Sequence, residues 1–194
     1  MAPKVLFVLS SHKVLGETGR PTGWFLPELA HPYHLLVPHV TIDVASPAGG
    51  EVLLDPNNVE MFITDDIAVK FLSEEQQLWK NTIKLENVNA EDYDGIFFVC
   101  RHGAMFDISC APIVVSLIKS LADANKLVAA VCHGSAALLD VKLSDRKLFV
   151  DGEPVTAFSN AEEDAMDLSG AMPFILETDL VKNAESLVSK LTPP

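Results

Sequence analysis

Residues 129–139 read AAVCHGSAALL, and within them Cys132 and His133 stand side by side. A thiolate attacks electrophilic carbon, and an imidazole titrating near neutrality can take the thiol proton and return it. The apolar run before the pair predicts a strand, and the small residues after it predict a helix. A cysteine at that junction sits at the strand's carboxyl end, facing the unpaired amides of the new helix. Those amides and the helix dipole predict a lowered thiol pKa. Gly134, Ser135 and Ala136 are small enough to let backbone approach closely, as at a nucleophile elbow. A free cysteine is most often a small buried hydrophobe; the Cys-His-Gly context at a strand end favours chemistry instead.

His133 needs an acid from elsewhere to orient it, because adjacent helix residues point in different directions. Glu162, Glu163 and Asp164, just after the apolar residues 154–158, are the candidates, although three acids in a row also fit a solvated face. A second cluster, Glu28, His31 and His34, has an i, i+3, i+6 spacing that suits zinc on a helix. Pro32 interrupts that helix and no fourth ligand is indicated. The remaining histidines, His12 and His39, read as structural or solvent-facing, and Trp24 and Trp79 as packing residues. Met105 and Phe106 fit either a core or a pocket wall.

The elements that must position these groups alternate along the chain. Strands are expected at 5–9, 40–45, 94–99 and 126–131, and two short apolar segments flank a turn within 148–158. Helices are expected at 24–36, with Pro27 early and Pro32 as a kink, at 73–85 with Ser73 as cap, at 111–124, and after Cys132. Residues 51–70 read as irregular, and 172–182 with 184–191 as a final helical stretch. Strands separated by helices of this length imply an α/β flavodoxin-like three-layer sandwich with a mostly parallel central sheet, whose reactive groups gather at the strands' carboxyl ends.

The bulk properties bound the function. A chain of 194 residues, 48% of them hydrophobic, suits one domain with a substantial core. No apolar run is long enough to span a bilayer, and the start reads as a first strand, not a signal peptide. A net charge of −13 with scattered basic residues argues against nucleic acid as partner. Three cysteines, Cys100, Cys110 and Cys132, with no Cys-x-x-Cys spacing, suit free thiols in a reducing, cytoplasmic setting.

The stretches AAVCHGSAALL and KLSDRKLFVDGEPVTAFSNAEEDA resemble the ThiJ/PfpI superfamily. Within it they are similar to the branch of glutathione-independent glyoxalases and heat-shock chaperones. GWFLPELAHPYHLL, IDVASPAGGEVLLDPNNV, YDGIFFVCRHGAMFD and AMPFILETDL add matches in order over most of the chain. The resemblance implies a single domain over 1–194 with Cys132 as nucleophile, His133 as general base, Glu163 as its orienting acid, and Glu28 hydrogen-bonded to the thiol. A carboxyl group beside a thiolate must carry the proton, so this pair would titrate as a unit.

The loop VCRHGAMFD departs from the resembled pattern. Relatives carry Gly-Gly-His-Gly there, whereas this chain has Cys100, Arg101, His102 and Gly103. Arg101, His102 and Gly103 are expected to meet the substrate. Arg101 is a non-glycine residue at a position where positive φ is expected, and it brings a cation to the pocket. At the carboxyl end, NAESLVSKLTPP stands where the branch continues with a further strand and helix, which implies an exposed sheet edge. Together these readings give a cofactor-free enzyme, with no metal, acting on a small dicarbonyl such as methylglyoxal, and by resemblance a homodimer. The alternative is a stress-protective chaperone or redox sensor with weak turnover. A peptide-cleaving Cys-His-Glu enzyme ranks below both.

Overall fold

The computed structural model describes residues 2–109, 111–182, 184 and 186–187. Five parallel strands form the central sheet, in the order β3-β2-β1-β4-β5. They are β1 (Lys4–Val8), β2 (Thr41–Ser46), β3 (Ile83–Lys84), β4 (Gly95–Cys100) and β5 (Leu127–Cys132). Each of the four longer strands lies within one residue of its expected position, because runs such as VLFV and GIFFV bury both faces. The order reverses direction beside β1, so the carboxyl ends of β1, β4 and β5 open onto a common crevice.

Two apolar cores pack against the sheet. On one face, Phe7, Leu9, Val44 and Val99 meet Leu26, Leu29 and Ala30 of α1 (Leu26–Leu36) and Phe71 of α3 (Asp66–Glu74). On the other, Leu6, Val8, Ile96 and Phe98 meet Val114, Leu117, Ile118 and Leu121 of α6 (Pro112–Asp123), which follows the short α5 (Ala104–Asp107). A single amphipathic stripe along α6 therefore covers that face. The expected three-layer, flavodoxin-like α/β architecture is what forms.

Three local expectations change. Residues 51–70 hold α2 (Asn58–Met61) and the start of α3, whose N-cap Asp65 accepts a hydrogen bond from the Ala68 amide. Ser73 therefore lies inside α3 and caps nothing. The chain breaks again before α4 (Gln76–Lys80), and residues 83–84 pair with β2 where a helix was expected. Pro32 stays within a continuous α1. It has no N–H to give the Glu28 carbonyl four residues back, so the proline acts on the turn that carries Glu28.

Near the carboxyl end, α7 (Asn160–Ala165) and α8 (Leu176–Leu180) are short. Within the expected helix 184–191, residues 186–187 form β7 (Ser186–Leu187), parallel to β6 (Pro154–Val155). Residues 185 and 188–191 of that expected helix, and Cys110, lie outside the described residues. Among the described residues β5 is an edge strand, and Leu127 at its start is 62% exposed. No described helix is long and apolar enough to cross a membrane.

Candidate active site

Cys132 ends β5 with φ +55° and ψ −132°, values that L-residues rarely adopt. The turn that follows, residues 133–138, is a 3-10 helix, not an α-helix. Three features hold the turn. The Ser135 hydroxyl donates to the Cys132 carbonyl at 2.7 Å, and Ala136 and Ala137 are fully buried. Gly134 has no side chain because a Cβ there would sit 2.4 Å from the Phe98 carbonyl oxygen of β4. The small residues read in the sequence therefore do permit close approach. The strain falls on Cys132 itself, where packing over-determines it.

His133 is buried, with Nδ1 3.4 Å from the Cys132 sulfur and Nε2 2.7 Å from Glu163 Oε2. An ionised carboxylate only accepts, so His133 donates through Nε2–H and leaves the Nδ1 lone pair for the thiol proton. Glu163 lies in α7, which begins with a capping box: Ser159 accepts from the Glu162 amide and Glu162 reaches back to the Ser159 amide. The three consecutive acids thus separate. Glu162 caps, Glu163 turns inward, and Asp164 faces out and accepts from Ser169.

His102 also reaches Glu163, its Nε2 lying 3.0 Å from Oε1. Both carboxylate oxygens are therefore engaged by imidazoles. Burial alone would push the Glu163 carboxyl up, but hydrogen bonds from His102 and His133 hold it down at about 2. Burial pulls His133 below its ordinary value, against the opposing pull of Glu163, so the imidazole is neutral near pH 7. Among the described residues, His102, His133 and Glu163 are the group that could hold a metal ion, offering three ligand atoms within 4.8 Å of one another. In the structure those atoms satisfy each other by hydrogen bonding.

Glu28 approaches from α1 and lines the same cavity as the Cys132 thiol, with its Oε2 atom buried without a hydrogen-bond partner. Pro27 starts that helix, and the Leu26 amide donates to Asn58 Oδ1 at 3.0 Å. Burial raises the Glu28 carboxyl to about 7. Burial likewise pushes the Cys132 thiol up, and negative charge on Glu28 adds to this, while the His133 backbone amide pulls the other way. The expectation of a thiol ionised by helix amides is thus reversed. A six-residue 3-10 turn has too little dipole to offset burial beside a carboxyl group. Glu28 and Cys132 thus form a half-buried acid-thiol pair whose ionisations are coupled.

The loop after β4 differs from its expectation as well. Arg101 is not among the residues with positive φ. Its guanidinium pairs with the buried Asp55 and lies over the Phe25 ring, 5.3 Å from the centroid. Gly103 has φ −54°; it is glycine because a Cβ would meet Ser10 Oγ at 2.4 Å. A cavity of about 220 Å³ sits over the sulfur, lined by Glu28, Arg101, His102, Cys132 and His133 together with Phe25, Met61, Phe158 and Met166. Gly103 does not line it.

Other expected groups lie elsewhere. His31 donates to Asp65 at 2.7 Å, and the Glu28-His31-His34 set does not converge. His12 stacks on Phe106, and Met105 is buried in the core, so neither Met105 nor Phe106 reaches the thiol. Sequence reasoning missed Asp55, which it left within the irregular stretch 51–70, and the apolar wall of Phe25, Met61, Phe158 and Met166. A buried acid two residues before a loop asparagine carries no signal of a distant arginine.

The DJ-1/PfpI family matches residues 28–189 of this chain. "Glyoxalase 3" of Candida albicans is 29% identical over 177 residues, covering 87% of this chain and 74% of that protein. "Glutathione-independent glyoxalase HSP31" of Saccharomyces cerevisiae is 29% identical over 171 residues, covering 84% and 72%. Among solved structures, Rapid Encystment Protein 24 kDa of Francisella tularensis superposes with a TM-score of 0.83 at 33% identity, covering 98% of this chain and 86% of that one.

Proposed function

The chain belongs to the DJ-1/PfpI family, and we propose that it is a glutathione-independent glyoxalase turning methylglyoxal, or a related 2-oxoaldehyde, into a 2-hydroxy acid. The observation that carries this reading is the Cys132 sulfur held between a protonatable Glu28 and the free Nδ1 of His133. Similarity to two glyoxalases over most of the chain supports it.

Cys132 sulfur bonds to the aldehyde carbon, the carbonyl electron pair moves to oxygen, and that oxygen takes a proton, giving a hemithioacetal. His133 Nδ1 then removes the hydrogen on the former aldehyde carbon and returns it to the neighbouring ketone carbon through an enediol. The result is a thioester of the 2-hydroxy acid on Cys132. Water cleaves it, releasing the acid and the thiol. The substrate's own carbons exchange oxidation states, so the balance is one 2-oxoaldehyde plus one water. Glu163 holds His133 in the required tautomer and stabilises the transient imidazolium. Glu28 carries the proton that lets sulfur be anionic in a buried place.

A redox sensor would use an exposed, ionised thiol; burial that raises the Cys132 thiol weighs against it. Purified protein incubated with methylglyoxal and no added thiol should produce lactate stoichiometrically. Unconsumed substrate with protein shown to be folded would overturn the assignment.

A further inference from the structure

The thiol cavity is apolar on most of its wall, and Arg101 is its one basic side chain apart from the paired histidines. A second cavity of about 270 Å³ shares Arg101 and Met166 with the first and is lined further by Arg20, Asp55 and Asn57. The two spaces adjoin across the guanidinium. Arg101 Nη1 donates to Asp55 Oδ2, and among the described residues this is the guanidinium's hydrogen bond. Asp55 is already engaged by Asn57, whose backbone and side-chain N–H groups both donate to Oδ1. The rest of the Arg101 fork is not buried without a partner, and the side chain is 18% exposed. The side chain lines both cavities, which puts its remaining donors within reach of a ligand there. Stacking over Phe25 fixes the plane of the fork, which lowers the ordering cost of gripping a planar anion.

The chain carries a net charge of −13, yet it sets this partly desolvated arginine, one edge paired with Asp55, in the wall of the cavity over Cys132. We propose that Arg101 makes this site prefer 2-oxoaldehydes that carry a carboxylate a few carbons beyond the ketone. The dicarbonyl end lies in the inner cavity at Cys132. The tail passes Arg101, whose free edge binds the carboxylate, toward Arg20 and Asn57 in the outer cavity. The inference rests on the glyoxalase reading for the inner end, while the anion grip stands on Arg101 alone.

The test compares 4,5-dioxopentanoate, its neutral methyl ester, and methylglyoxal as substrates for the wild-type protein. The acid should exceed the ester in kcat/KM by at least about tenfold, chiefly through KM, since one charged hydrogen-bonded contact is worth that much. Raising ionic strength should narrow the gap. Arg101→Met should bring the acid-to-ester ratio to about one, and Arg101→Lys should restore part of it. Equal handling of acid and ester by wild-type protein overturns the inference and leaves the glyoxalase reading intact, as does a ratio unchanged in Arg101→Met. If none of the three is consumed, the glyoxalase reading fails, and calorimetry with unreactive 4-oxopentanoate against its methyl ester decides the anion grip. Binding of the acid alone, lost in Arg101→Met, upholds it; equal binding, or none, overturns it.

Discussion

Cys100 and Cys132 end neighbouring strands and are register partners across β4 and β5, yet only one is placed for chemistry. Cys100 stays within a regular strand, is 0% exposed, and donates its S–H to the Val8 carbonyl at 3.3 Å. Burial pushes its thiol well up, with the Asp107 charge adding to this, and no general base attends it. Cys132 is only half-buried, though desolvation also raises its thiol; it leaves strand geometry at φ +55° and meets Glu28 on one side and His133 on the other. In the proposed mechanism the difference is not a low intrinsic pKa but a backbone twist that turns one sulfur into the crevice, where Glu28 and His133 stand ready to move its proton.

The strongest way to break the comparison is Cys132→Ser. Turnover should fall by at least ~10³-fold, because a hydroxyl cannot share a proton with Glu28 as a thiol does. Lactate formation from methylglyoxal measures it, and residual activity within tenfold of wild type would move the nucleophile elsewhere.

Next in size is Glu163→Gln. An amide accepts on one atom and donates on the other, so it cannot take N–H bonds from both His102 and His133. One imidazole must change tautomer, and kcat should drop on the order of 10²-fold or more. Steady-state kinetics at saturating substrate reads this.

Glu28→Gln sharpens the role of proton sharing. Below about 7 the Glu28–Cys132 pair holds two protons; above it the pair holds one, mainly on sulfur beside an ionised Glu28, and the minor tautomer with thiolate and neutral acid becomes available. Wild-type kcat/KM should therefore rise as pH increases through about 7 and then level. In Glu28→Gln the rise should move to higher pH, because the buried thiol must ionise without that partner. Stability has the opposite sign. A carboxyl raised from 4.5 to about 7 binds more protons folded than unfolded across that window, so wild-type stability should fall as pH rises through it. The variant should lose this slope in denaturant titrations at several pH values.

Cys100→Ala has the smallest expected effect. It removes one buried sulfur and a weak hydrogen bond, costing about 1 kcal/mol in chemical denaturation and leaving kcat unchanged. Peptide mapping after iodoacetamide should show Cys132 labelled in the native protein and Cys100 labelled only after unfolding.

Strand positions were legible because continuous apolar runs report burial on both faces, and each of the four long strands came within one residue of expectation. The stretch from residue 51 to residue 87 was not. Its helices are short, its caps are local, and β3 exists only because two residues meet the open edge of β2. The site was legible as a set of residue types in the resembled motifs, and the structure brings Glu28, Cys132, His133 and Glu163 to one crevice.

From residue order alone follow the alternation of strands and helices, the parallel sheet, the small residues at the elbow and the identity of the thiol and imidazole. Those are local properties of hydrophobic period and side-chain size. The tertiary structure decided the protonation of the thiol, the second imidazole on Glu163, the inward turn of one acid among three, and the pairing of Arg101 with Asp55. Each of these depends on desolvation or on a contact between residues distant in sequence, and neither quantity is written in neighbouring letters.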